Sequence, residues 1–300
     1  MNKLNTFLFV CLSAIVVSCD SIKDSLKDCV YDTNIAIKFD YYGDESQGNN
    51  VLEKYIFSSE LYIYDSNGKL FLHHSVAQDD LLSRHVVKLP SGSYTLVNVG
   101  NVGNKSKVTG VKFMTSGKIS PKGYLDNTLI DTNDKLYFSS QEINVPKGGK
   151  LNETSKNVTV EFKAATIQLY VISKGFGNRN MGVAVDHLVP QIDFNLHDAA
   201  SADATYYLPL SRNLEQDVIV NTGHTFRFKN QNDINVTLFE RIGDTNHSIE
   251  KVSLASMIAQ EGLNVENKQE LILVIEFEQT TKGISVSIKE WKEIIVVPGN

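Results

Sequence analysis

The sequence predicts an all-β protein built as antiparallel sandwiches in two tandem domains, and three observations carry that expectation. Short runs of alternating apolar and polar residues recur along the chain, separated by Gly, Asn, Asp or Pro at intervals of roughly 8 to 12 residues. Helical periodicity is scarce, which disfavours layers of alternating strand and helix. The chain has 300 residues, 42% of them hydrophobic, enough to exclude a disordered chain and to fill two domains of about 100 to 150 residues each.

Residues 1–18 read as a cleaved export signal. Lys3 supplies a positive start, Phe7 to Val17 an eleven-residue run without a charge, and Ser18 a small residue at the junction with Cys19. The run is about half the length of roughly 20 apolar residues that a spanning helix needs. Val16-Val17-Ser18-Cys19 resembles the lipobox of bacterial lipoproteins, with Val in place of the commoner Leu at its first position. That resemblance implies cleavage before Cys19 and acylation of its thiol, palmitate included. Cys11 then leaves with the signal, Cys19 carries lipid and Cys29 is the remaining thiol, so no intrachain disulfide is expected. Several acyl chains, each contributing about 0.8 kcal/mol per buried methylene, tether a protein stably where one short chain does not. Residues 19–30 read as a polar, lipidated stalk.

The body follows as strands. In "NIAIKFDYY", Ile35, Ile37 and Phe39 alternate with Ala36, Lys38 and Asp40, the period of a strand with one buried side. "SELYIYDSNGKLFLHHSV" places Asn67-Gly68 between two apolar runs and predicts a tight hairpin with positive φ at both turn residues. "HVVKLPSGSYTLVNVGN" predicts a second strand pair turning at Pro90, Ser91 and Gly92 and returning from Tyr94 to Val99. "KLYFSSQEINV" and "NVTVEFKAATIQLYVI" are further strands, and the Gly-, Lys- and Asn-rich "PKGGKLNETSKN" between them reads as the linker. The expected domains are therefore 31–155 and 156–300. The second half continues with "HTFRFKN", "INVTLFER", "ELILVIEFEQ" and "ISVSIKEW" as strands. One helix is predicted in "SLASMIAQEGL", capped by Ser253, with Leu254, Met257 and Ile258 on one face and Gly262 ending it. Ile294, Ile295, Val296 and Val297 form a β-branched run before Pro298, read either as a last internal strand or as a strand lent to a neighbouring subunit.

The order of these motifs, from the lipobox and the second Cys ten residues on through "IKFDYY", "LYIYDSNGKL", "LPSGSYTLVNVGN" and Leu136-Tyr137-Phe138 to "ISVSIKEW", resembles the FimB-like anchor family, lipoprotein anchor subunits of type V fimbriae. The chain departs from that pattern at Asn98 to Asn101, where similar proteins often carry an aromatic before Gly-Asn. The resemblance implies two transthyretin-like (Greek-key) β-sandwich domains. It also implies an outer-membrane, lipid-anchored protein at the cell surface that holds a fimbrial shaft subunit and limits fimbrial length. Polymerising subunits similar to this family lose an N-terminal strand to an arginine-specific protease, which opens a groove for a neighbour's strand. Between Cys19 and Arg84 this chain has no arginine over the 64 residues Asp20 to Ser83, in keeping with an anchor that retains its tether.

Other function classes find little support. The net charge is −6 with no basic cluster, which argues against a nucleic-acid partner. Gly100, Gly103, Lys105 and Ser106 suggest a phosphate loop, but Asn104 breaks the required G-K-[ST] end and strand, not helix, follows. His73 and His74, as strand neighbours, point to opposite faces and cannot share one ion. The acidic turn Asp131 to Asp134 lacks the Gly and distal Glu of a calcium loop. No nucleophile elbow occurs, Cys29 has no His beside it, and Trp291 stands alone as a tryptophan. Expected, then, are no catalytic residues, no metal, no cofactor beyond the lipid on Cys19, and no small-molecule substrate. The alternative reading is a surface lipoprotein that binds glycan or a host ligand directly.

Overall fold

The computed structural model describes residues 33–44, 46–146, 155–213 and 217–291, and almost all of them lie in strands or their connections. In the first half, β1 (Thr33–Tyr41), α1 (Leu52–Tyr55), β2 (Ser58–Asp65), β3 (Leu70–Ala77), α2 (Gln78–Leu82), β4 (His85–Leu89) and β5 (Gly92–Gly100) precede the short strands β6 (Ser106–Thr109) and β7 (Lys118–Pro121). One helical turn, α3 (Lys122–Leu125), leads to β8 (Tyr137–Val145) and β9 (Ser155–Ala164). Seven of these strands form one ribbon in the order β3-β2-β5-β8-β9-β1-β4. Its two parts are joined only where Tyr137 and Phe138 meet Ala164 and Lys163, so the ribbon folds over into two facing layers. Between them Ile35, Ile37, Phe39, Leu61, Ile63, Leu96, Val160 and Phe162 make the core.

The second half repeats the architecture with β10 (Thr166–Lys174), β11 (Met181–Leu188), β12 (Ile192–Asp193), β13 (Ala204–Tyr207), β14 (Leu210–Asn213), β15 (Val218–Phe226), β16 (Asn235–Ile242), β17 (Thr245–Ser253), β18 (Ile272–Thr280) and β19 (Gly283–Glu290). The sheet β14-β15-β10-β18-β19 faces the sheet β13-β11-β16-β17. The predicted helix is present as α4 (Leu254–Gln260): the Ser253 hydroxyl accepts from Ser256 N at 3.3 Å, and Leu254 and Ile258 are buried. Among the described residues no helix is long and apolar enough to cross a membrane.

Four details differ from the sequence reading. The Asn67-Gly68 hairpin forms, but only Gly68 takes a positive φ, +70°. Gly68 N donates to Asp65 O, and the Asp65 carboxylate accepts from Asn67 N and Lys69 N, so a turn followed by a bulge closes the loop. The chain around Pro90 does not make a hairpin: β4 pairs with β1 and β5 with β2 and β8, so the turn carries the chain from one layer to the other. Two pairings are parallel, β1 with β9 and β10 with β18. The change of core falls at Ala164 to Thr166, not near Ser155, because β9 belongs to the first sandwich, where Val158, Val160 and Phe162 pack beside β1.

The two sandwiches are not beads on a string. β12 of the second half pairs with β7 of the first, extending a small sheet β12-β7-β6. Over it a third cluster gathers Tyr62, Tyr64, Val97, Phe138, Ile192, Phe194 and Phe226 from both halves. Phe194 packs so closely on Gly117 that a Cβ there would lie 2.3 Å from its ring.

Candidate functional site: the N-terminal strand and its seat

β1 is the first described strand after the expected stalk, and it does not lie at a sheet edge. It runs between β9, parallel over Asn34 to Tyr41, and β4, antiparallel over Thr33 to Ile37. Alternation decides which side chains enter the core: Ile35, Ile37, Phe39 and Tyr41 are all 2% exposed or less. Phe39 stacks on Phe162 at 5.9 Å between ring centroids. Burying four large side chains at about 1.5 to 3 kcal/mol each makes this strand a main contributor to the first core.

The end of β1 is fastened by a polar network that reaches into the second half. The Asn50 carboxamide accepts from Tyr41 N (3.1 Å) and Leu52 N (3.0 Å), and donates to Phe39 O (3.2 Å) and the buried Asp40 carboxylate (2.7 Å). The Tyr41 hydroxyl donates to Glu270, just ahead of β18, and the Tyr137 hydroxyl donates to the same oxygen at 2.8 Å. Lys135 pairs with the other Glu270 oxygen at 2.5 Å and lies 4.8 Å from the Tyr55 ring centre. Asp44 accepts from the backbone N–H groups of Gln269 (2.7 Å) and Glu270 (2.9 Å). Burial first, and the Glu270 charge second, push the Tyr41 and Tyr137 phenols far above their usual range, so both remain proton donors. His224 lies beside this junction, in a small cavity also lined by Lys135, Tyr137 and Glu270. Burial, reinforced by Lys135 and opposed by Asp134, lowers its pKa to about 4.

Sequence reasoning missed Glu270, Lys135 and Tyr137 as a group. A charged residue ahead of an apolar strand is ordinary, and only the fold brings positions 41, 137 and 270 together.

The residues singled out in the sequence fare differently. Cys19 and the run Ile294, Ile295, Val296 and Val297 lie outside the described residues. The glycine-rich loop has a purely internal use: the Asp134 carboxylate accepts from Gly103 N, Lys105 N and Ser106 N, and Lys105 pairs with Asp131 at 2.5 Å. The chain's own acid thus fills the amide cradle that a phosphate would need, and the acidic turn is spent in the same contact. His73 and His74 do diverge, His73 to Glu60 (2.6 Å) and His74 to His85 (2.9 Å). Among the described residues one group of three potential metal ligands has its donor atoms within 4.8 Å of one another: His187, Asp203 and Asp233, all exposed. Trp291 packs edge-on against Tyr170 at 5.3 Å, and its backbone N–H donates to Ile272 O, continuing the sheet.

Comparison with known proteins agrees with this architecture. The fold is similar to a candidate polysaccharide-binding protein from Bacteroides thetaiotaomicron, with a TM-score of 0.66 and 15% identity over 87% of this chain and 99% of that one. It is also similar to a candidate adhesin from Bacteroides ovatus (TM-score 0.64, 15% identity, 88% and 96% covered). The fimbrial anchor protein Mfa2 from Porphyromonas gingivalis matches with a TM-score of 0.60 at 11% identity, covering 86% of this chain and 98% of that one. No curated protein matches the sequence. The family model of the fimbrillin-A associated anchor proteins Mfa1 and Mfa2 matches residues 26–297, nearly the whole body and the end of the stalk, and the chain belongs to that family.

Proposed function

We propose that this protein is an outer-membrane lipoprotein that holds a type V fimbria at the cell surface, tethered through lipid on Cys19 and bound to a fimbrial shaft subunit. Membership of the anchor family supports a fimbrial anchor or adhesin role with structural, not enzymatic, work. The observation that carries the finer reading is the place of β1. Only thirteen residues, Asp20 to Asp32, separate Cys19 from a strand hydrogen-bonded on both sides and buried in the core. Tension on the tether along that strand loads its whole ladder at once, so the body resists extraction. A chain that keeps this strand also fills its own sheet and offers no slot there to a neighbour's strand.

The test is deletion of the gene followed by fractionation. Fimbriae should move from the cells into the medium, wild-type protein should restore retention, and Cys19→Ser should not. The mature N-terminus of the wild-type protein should be Cys19 by mass spectrometry. Fimbriae that stay with the cells in the deletion strain would refute the anchor role.

A further inference from the structure

β3 and β4 are the outermost strands of the two parts of the first sandwich. Along β3 the inward positions are Leu72, His74 and Val76, and along β4 they are His85, Val87 and Leu89. Two imidazoles therefore occupy positions where the pattern calls for aliphatic side chains, at the margin where the layers close. His74 Nδ1 and His85 Nε2 lie 2.9 Å apart, with ring planes at 89°. The His85 side chain is only 14% exposed, and its far nitrogen, Nδ1, faces the Asp80 carboxylate of α2 at 4.0 Å.

We propose that His74 and His85 together bind one divalent ion of the Zn2+ class, with Asp80 holding His85 from behind. Two imidazole nitrogens on one tetrahedral zinc, each at about 2.0 to 2.1 Å, stand about 3.3 Å apart, so the facing atoms separate by about 0.4 Å and the rings turn from their mutual hydrogen bond to aim both lone pairs at the ion. On binding, each ring coordinates through its facing nitrogen. Whichever ring carries the proton between them tautomerises so that its own far nitrogen holds it, and His85 Nδ1–H then donates to Asp80 once that exposed carboxylate closes from 4.0 Å. That carboxylate-histidine-metal arrangement fixes the ring and raises its basicity. Water completes the coordination. The ion ties β3, the outer strand of one layer, to β4, the outer strand of the other and the strand that flanks β1. The expectation of a metal-free body weighed the His73-His74 pair and the acidic turn Asp131 to Asp134, neither of which includes His85. The second ligand is instead supplied by another strand, eleven positions on.

The experiment is titration of the detergent-solubilised full chain with ZnCl2, CuCl2 and CaCl2, read by calorimetry and by melting temperature. One Zn2+ should bind per chain and raise the melting temperature reversibly to EDTA. Cu2+ should bind more tightly and Ca2+ should have no effect, as imidazole ligands require. His74→Gln and His85→Gln should each weaken Zn2+ binding by about 100-fold and Asp80→Asn by about tenfold, whereas His73→Gln and His187→Gln should leave it unchanged. Ring-nitrogen NMR of the unsubstituted protein should show Zn2+ perturbing His74 and His85, which keeps the test independent of whether a variant folds. Absence of saturable Zn2+ binding below about 1 mM, or binding lost in His187→Gln and centred on the exposed His187, Asp203 and Asp233 group, overturns the proposal.

Discussion

Glu270 accepts from two tyrosines and pairs with a lysine, so a single carboxylate joins the end of β1 to the second sandwich. Beside it, His224 gives the protein a defined acid sensitivity. Its folded pKa, about 4, lies below the unfolded value near 6.5, so the folded state binds fewer protons than the unfolded one. The stabilisation is complete above pH 6.5 and is lost as the pH falls from 6.5 toward 4, about 3 kcal/mol in all. The charged groups around it are Lys135, which deepens the shift, Asp134, which opposes it, and Glu270 across the cavity. Denaturant unfolding of His224→Gln against the parent chain should show a flatter pH dependence over that range. An unchanged slope would mean that the ring is hydrated in solution.

β1 is the element through which the proposed tether would meet the body, and its buried side chains hold it in the first core. Phe39→Ala removes a ring that is 2% exposed and stacked on Phe162, and should destabilise the protein by about 3 to 5 kcal/mol in denaturant unfolding. A loss below about 1 kcal/mol would show that the first sandwich closes without this strand. The parallel partner β9 matters equally, because its Val158, Val160 and Phe162 face the same core. β1 and β9 lie more than a hundred residues apart in sequence, so their pairing forms only once the chain between them has folded back.

The molecule as a whole has two sandwiches sharing an apolar junction, preceded in sequence by the proposed lipid site at Cys19 and followed by a β-branched C-terminal run beyond the described residues. β19 is the last strand of its sheet, and among the described residues its outer edge carries no partner strand. We propose that Ile294 to Val297 are lent to a shaft subunit, where main-chain hydrogen bonds to a sheet edge would hold them, against the alternative of an internal last strand. Deleting Glu293 to Asn300 should then leave the melting temperature within a few degrees of the parent while cells lose their fimbriae. Unfolding of the truncated protein would assign the tail to an internal strand. A truncated protein both stable and able to retain fimbriae would remove the segment from either role.

Local chemistry was legible in the sequence because neighbouring residues decide it. The alternation of Ile35, Ile37 and Phe39 named the buried face of β1, Gly68 marked a hairpin, and Ser253 marked a helix start, each within a few positions of its effect. The family resemblance likewise lay in the order of such local motifs. Tertiary structure decided what depends on distant partners. The turn at Pro90 looks the same whether the next strand pairs with its predecessor or crosses to the opposite layer, and only the competition of β1 for β4 settled it. The boundary between the cores moved from near Ser155 to Ala164 because a parallel pairing, invisible to strand periodicity, gave β9 to the first sandwich. Glu270 met Tyr41, and His74 met His85, for the same reason. A side chain's alternation states which face it takes, while its partner across that face is fixed by the packing of the whole chain.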